Sequence, residues 1–202
     1  MAVTQKFKGL NYLTPLEIIS NEPRFINDTQ NLRRYSSRTT AQRWELRITF
    51  NGGLRDGAFA KLQAHYLKNG LETSFKIAMP QHVGLDEPDS NSTTVDTDFA
   101  AGSSSITVAS AQGVTAGRFI EIADKVYMVT DVTSNTFSIS PNLVAAMTNG
   151  DTVIIGTATD ENDTTGVRCK VLYENTNQSF TYNSGVLQQI RKQYIEYLEW
   201  LG

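Results

Sequence analysis

A mainly β chain is what this sequence predicts: an antiparallel sheet frame with one amphipathic helix, interrupted by a small β-module. Three observations carry that expectation. RWELRITF (43–50) alternates strictly between apolar and polar residues, a single three-to-four-residue period runs from Asp56 to Asn69, and the composition changes near Pro80 and reverses near Gly166.

Along the frame, Leu16, Glu17, Ile18 and Ile19 form a short strand candidate, and Asn21-Glu22-Pro23 follows with turn chemistry. The next strand is clearer. Trp44, Leu46, Ile48 and Phe50 alternate with Arg43, Glu45, Arg47 and Thr49, so one face is buried and the other wet. Asn51-Gly52-Gly53 breaks it. The helical stretch then places Phe59, Leu62 and Tyr66 on one stripe, with Leu67 at its margin, Asp56 as N-cap and Gly70 as stop. SFKIAMP returns to two-residue alternation through Phe75, Ile77 and Met79 until Pro80 ends it.

Between Pro80 and Gly166 the chain is rich in Gly, Ser and Thr. Short β-branched runs recur about every dozen residues: SITVA, RFIEIA, VYMVTDV, TFSIS and DTVIIG. Asp124-Lys125, Ser134-Asn135 and Asn149-Gly150 fall between them as turns, giving roughly five short strands of a small barrel or sandwich. Val108, Ile120, Ile122, Val129, Phe137, Ile139, Val153 and Ile155 are its candidate core. The flanks DEPDSNSTTVDTD and TATDENDTTG read as linkers. After Gly166, Val167, Cys169, Val171 and Tyr173 mark one face of a further strand, and SFTYN follows across an Asn-rich turn. The last stretch, VLQQIRKQYIEYLEWLG, fits a helix slightly better by period, although YIEYLEW also suits a strand.

The chain has 202 residues, 40% of them hydrophobic and 19% charged, which excludes a disordered chain. No apolar run reaches the roughly 18 residues of a membrane span, and MAVTQKFKGL lacks a signal-peptide core. Cys169 is the only cysteine, so no intrachain disulfide forms, and the expectation is a buried thiol in a chain made in a reducing cytoplasm. The net charge of −3 hides an asymmetry. From Asp96 to Gly166, Asp96, Asp98, Glu121, Asp124, Asp131, Asp151, Asp160, Glu161 and Asp163 face only Arg118 and Lys125, leaving the frame basic. Such an acidic module is expected to repel nucleic acid. Arg33, Arg34, Arg38, Arg43 and Arg47 cluster in the frame, where a solvated or subunit-facing stripe is expected in the absence of a recognition helix.

No catalytic constellation stands out. His65 lies in the helical stretch and His82 at the module boundary, with no Ser or Cys in a nucleophile motif, and both are read as structural. Phosphate-cradling glycines are missing, and the numerous paired carboxylates are what any acidic surface offers, so no enzyme activity, cofactor or metal is expected. Asp160-Glu161-Asn162-Asp163-Thr164 offers hard oxygens for calcium, but its spacing is not that of an EF-hand and a hydrated linker is the expected reading.

The order of elements is similar to that of distal tail proteins of long, non-contractile phage tails. RWELRITF, the helix DGAFAKLQAHYLKNG, SFKIAMP ending in proline, a β-insert and a β-return carry the resemblance across essentially the whole chain. GRFIEIADKVYMVTDV and TFSISPNLVAAMTNGDTVIIG look like β-modules of phage virion proteins. The resemblance implies an antiparallel β-sandwich frame (1–88 plus 167–202) interrupted by an OB-like barrel (89–166), and a closing strand at the C-terminus. It also implies a structural virion protein made in the host cytoplasm. Its frame domains would form a hexameric ring at the tail tip, contacting the tail tube protein and the baseplate hub or tail-tip proteins around a DNA channel. On that reading the frame carries assembly, the barrel is peripheral, and Arg33, Arg34 and Arg38 are subunit-interface candidates. A carbohydrate-binding accessory protein and another tail component, such as a completion or baseplate-hub protein, stay open as alternatives.

Overall fold

Alternation in the frame and β-branched repetition in the insert produce two curled sheets. The computed structural model describes residues 5–28, 34–38, 42–50, 57–70, 72–82, 84–174, 182–183, 186–187 and 190–196. In chain order the first half contains β1 (Lys6–Phe7), β2 (Leu10–Asn21), β3 (Arg24–Asp28), β4 (Arg34–Arg38), β5 (Arg43–Phe50), α1 (Gly57–Asn69) and β6 (Phe75–Ala78). The insert follows with β7 (Ser92–Thr94), β8 (Ser105–Thr107), β9 (Phe119–Ile122), β10 (Lys125–Thr133), β11 (Thr136–Ser140) and β12 (Thr152–Ile154). The return comprises β13 (Gly156–Thr157), β14 (Gly166–Tyr173), β15 (Tyr182–Asn183), β16 (Val186–Leu187) and β17 (Ile190–Glu196). The fold is mainly β.

The frame sheet runs β1-β2-β5-β17-β14-β13, with β6 paired to β14 as well. Every pair is antiparallel except β13 with β14, where Gly156 faces Gly166 and Thr157 faces Val167. The sheet curls until the Lys6 N–H reaches Thr159 O at 2.9 Å, and the buried Gln5 side chain donates to Met79 O and Ala158 O. Alternation in β5 is as expected: Trp44, Leu46, Ile48 and Phe50 point into the core. Val167, Cys169, Val171 and Tyr173 do the same on β14, and burial pushes the Cys169 thiol well up. Phe7 sits among Phe50, His65, Phe75 and Tyr194 at ring separations of 5.2 to 6.4 Å.

α1 covers this core through Leu62 and Tyr66. It stops at Gly70, whose φ of 53° lets its N–H return to Tyr66 O at 2.8 Å. Leu67 does not belong to the buried stripe. It is 72% exposed, because it lies next to Tyr66 and one helical step turns it to solvent. The Asp56 cap and the Phe59 side chain lie outside the described residues.

β2 is longer than the Leu16–Ile19 candidate, reaching from Leu10 to Asn21. Pro15 has no N–H to give the ladder. The sheet accommodates it where the register of β2 against β5 shifts between Leu13 and Glu17. The ambiguous C-terminal stretch is a strand over Ile190–Glu196, held between β5 and β14. Tertiary pairing on both sides overrides a local period that slightly favours helix.

The insert has six strands in the order β7-β12-β9-β10-β11-β8. A bridge between Val95 and Val108, with the Asp96 N–H to Thr107 O and the Ala109 N–H to Thr94 O, curls this sheet back onto its own first strand. The eight expected core residues are all buried, together with Val95, Ile106, Val114, Tyr127, Leu143 and Met147. The flank DEPDSNSTTVDTD is therefore not all linker. Its STT forms β7 and its Val95 fills the core, because long-range pairing with β12 supplies what local pattern lacks.

Candidate functional site

The β9–β10 hairpin roots the insert in the frame. Phe119 and Val126 belong to the frame's hydrophobic cluster, with Met128 and Ile154 packed against it. Trp44 meets Phe119 edge-on at 5.2 Å, its Nε1–H donates to Val126 O at 2.9 Å, and His82 stacks on Phe119 at 5.9 Å. Gln81 exchanges two 3.0 Å hydrogen bonds with the Phe119 backbone. In this way, a barrel that could swing on polar linkers is fixed by packing and by directional bonds together.

Charge is buried along the same seam. The hairpin turn is Ala123-Asp124, one residue earlier than the sequence suggests, so Lys125 opens β10 opposite Ile122 and points inward. Its ammonium donates to Gln42 O at 2.9 Å, to Gln42 Oε1 at 3.0 Å, and to Glu196 Oε2. Glu196, on β17, also accepts the Trp44 and Val126 N–H groups at 3.2 Å each. Burial pushes the Glu196 carboxyl up and the Lys125 ammonium down, and each partner opposes that shift for the other.

Two further ties flank this pair. Arg118, fully buried, donates to Ile155 O, Asp86 O, Glu87 Oε2 and Thr157 Oγ1 at 2.8 to 2.9 Å, clamping the entering and leaving chains of the insert together. Glu121 accepts Lys76 Nζ at 2.8 Å and the Arg168 N–H at 2.8 Å. Glu121, Arg118 and Lys125 are buried in the seam, so the two cations of the insert face inward and the charges left on its surface are carboxylates.

Beside the seam lies a cleft of about 500 Å³. Its frame wall is Lys76 and Lys170; its barrel wall and floor include Ile122, Val144, Ile154 and Met147. β12 meets β9 through a single pair, Ile154 with Glu121, and both residues line the cleft. Asp124 reaches in from the hairpin turn. Its carboxylate lies 2.5 Å from Lys76 Nζ and 3.8 Å from Lys170 Nζ, and the Lys76 hydrogen bond holds it below the usual carboxylate range. Ala123 and Asp124 both take left-handed φ values, 47° and 65°, a two-residue hairpin geometry that normally favours Asn-Gly. Alanine there costs about 1 kcal/mol, which the ion pairs of Asp124 help to offset. Tyr127 is the aromatic ring of the lining, and it is buried with its hydroxyl bonded to the Val144 N–H, which leaves no stacking face for a sugar.

The other candidates fall elsewhere. Arg34 and Arg38 occupy the two ends of β4, opposite Asp28 and Arg24 in a separate two-stranded sheet; Arg33 lies outside the described residues. His65 is wedged between Tyr173 Oη at 3.0 Å and Asn69 Nδ2 at 2.7 Å, and burial with nearby Lys8 lowers its pKa to about 4. In the Asp160–Thr164 loop, Asp163 accepts from the backbone and hydroxyl of both Thr159 and Thr165, and the Thr165 hydroxyl leads in lowering its pKa to about 2. Its oxygens are thus engaged in closing their own turn. Among the described residues no group of three or more His, Cys, Asp or Glu is placed to hold a metal ion, and no helix is long and apolar enough to cross a membrane.

Sequence reasoning missed the seam altogether. Lys125 reads as a turn residue and Glu196 as the polar member of an aromatic and β-branched stretch, and only the two-residue spacing of buried Tyr194 and Glu196 along β17 hints that a carboxylate occupies a core position. No protein-family model matches the chain, and no curated protein is detectably similar to it.

Proposed function

We propose that this is a structural protein of a long, non-contractile phage tail, forming a hexameric ring at the tail tip between the tail tube and the host-recognition apparatus. The observation that carries the reading is architectural. A curled antiparallel frame, covered by one helix, is interrupted between β6 and β14, two strands that pair with each other, by a barrel whose root is fixed in the frame core. This matches the order of elements on which the resemblance to distal tail proteins rests. A rigid joint suits a part that must transmit load, since the buried contacts of the seam resist rotation of one module on the other.

Ring closure calls for a head-to-tail contact using two different patches on each copy. The arginine-bearing β3–β4 hairpin, with Arg34 and Arg38 at the ends of β4, is the proposed basic patch, and Asp96, Asp98, Asp131 and Asp151 on the exposed barrel surface are its proposed acidic complement. Such surface pairs set register more than affinity. Negative-stain microscopy of the purified chain over a range of concentrations tests the assembly: sixfold rings are expected, and single small particles throughout would count against a ring-forming protein. Deleting the barrel is a poor test of its dispensability, because it strips Phe119 and Val126 from the frame core.

A further inference from the structure

We propose that the cleft between the barrel and β6/β14 is a binding site for a small anionic amphiphile, a carboxylate or phosphate head on an aliphatic body, and that Asp124 occupies the head-group position in the free protein. This inference is independent of the assembly reading.

The size falls within the range of ordinary small-ligand sites, and the distribution of chemistry is lopsided in a useful way. Cationic groups line one wall. Lys76 and Lys170, with side chains 25% and 20% exposed, converge on the same carboxylate, and Arg168 adds positive potential there. The facing surface is aliphatic: Ile122, Val144 and Ile154. An anion seated between the two ammonium groups would place its aliphatic body on these residues. Sugars and bases fit poorly for want of an exposed ring, and the lining carboxylates are engaged: Glu121 and Asp124 with Lys76, and Asp151 with the Thr148 N–H.

Asp124 identifies the anion position. It is 51% exposed on a two-residue turn of left-handed backbone, so its carboxylate can leave Lys170 without disturbing a packed core. Its pKa, held down by Lys76, reflects how strongly the wall favours negative charge. Glu121 does not compete in the same way, because it is buried and held by both Lys76 and the Arg168 N–H.

The competition gives the site a signature that a merely structural Asp124 would lack. With the full chain and decanoate as probe, isothermal titration is expected to show saturable binding at one site. Asp124→Asn should tighten it about fivefold or more by removing the resident carboxylate, and Lys170→Gln should weaken it about tenfold. Decanol should bind far less well, and anionic phosphatidylglycerol vesicles distinguish a lipid head group from a free amphiphile as the source. Val144→Glu, which sets a like charge on the aliphatic face, offers a second variant should the turn not tolerate Asp124→Asn. The proposal is overturned by an absence of saturable binding at millimolar decanoate, by equal affinity for decanol, or by unchanged decanoate affinity in Lys170→Gln and Val144→Glu.

Discussion

Replacing Glu196 by leucine removes the acceptor that holds β17, β5 and the barrel together. Three donors lose their partner at once: the Lys125 ammonium and the N–H groups of Trp44 and Val126. Lys125 keeps Gln42 O and Oε1, but those are neutral, and the ammonium remains buried without a counter-charge. Breaking a buried pair from one side costs about 3–5 kcal/mol, a large part of the roughly 5–15 kcal/mol that keeps an ordinary domain folded. Glu196→Leu should therefore shift the urea midpoint strongly, and Lys125→Met should do so by a comparable amount. The double variant, which removes both charges and leaves apolar groups of similar volume, should recover the part of the loss due to the unpaired ammonium, giving a coupling of about 2 kcal/mol or more in the cycle, while the Trp44 and Val126 N–H groups still lack their acceptor. Tryptophan fluorescence is the natural readout, since Trp44 touches both Phe119 and Val126. A cost below about 1 kcal/mol for Glu196→Leu, or additive single variants, would refute the claim that this pair is desolvated and holds the seam.

Three other perturbations probe separate parts of the fold. Gly166→Ala should cost about 3 kcal/mol or more, because its Cβ would sit 2.0 Å from Ala158 N in the parallel β13–β14 contact; an unchanged urea midpoint would contradict that close approach. His65 has a folded-state pKa of about 4 against about 6.5 when unfolded, so the unfolded chain binds the extra proton first, and stability should fall as pH drops from about 6.5 to about 4. The full shift corresponds to about 3 kcal/mol, which partial exposure reduces to about 1–2 kcal/mol, and His65→Gln should flatten that slope in denaturant melts. Asp163, with its pKa lowered to about 2, supports its loop above the unfolded carboxylate range and releases it as pH falls towards 2; Asp163→Ala should speed exchange of the Thr159 and Thr165 amides without moving the global midpoint.

What was legible in the sequence is what local pattern encodes. Trp44, Leu46, Ile48 and Phe50 announce their face because β5 is wet on the other side, and Gly70 announces the end of α1 because left-handed backbone suits it. β7 was not legible, since Ser92–Thr94 becomes a strand only when β12 lies beside it. Lys125 and Glu196 defeat pattern reading for a different reason: a buried charge looks like a surface charge until its counter-ion, 71 positions away in the chain, is brought to it. The cleft has the same origin, because Lys76, Asp124 and Lys170 belong to three strands or turns joined only by tertiary pairing.

Immunogold labelling of intact phage particles with antibody against this chain tests the functional reading most directly. Label confined to the distal end of a long, non-contractile tail is the predicted result. Label on the head, at the neck or along the tail shaft, or intact particles that carry none of the chain, would contradict it.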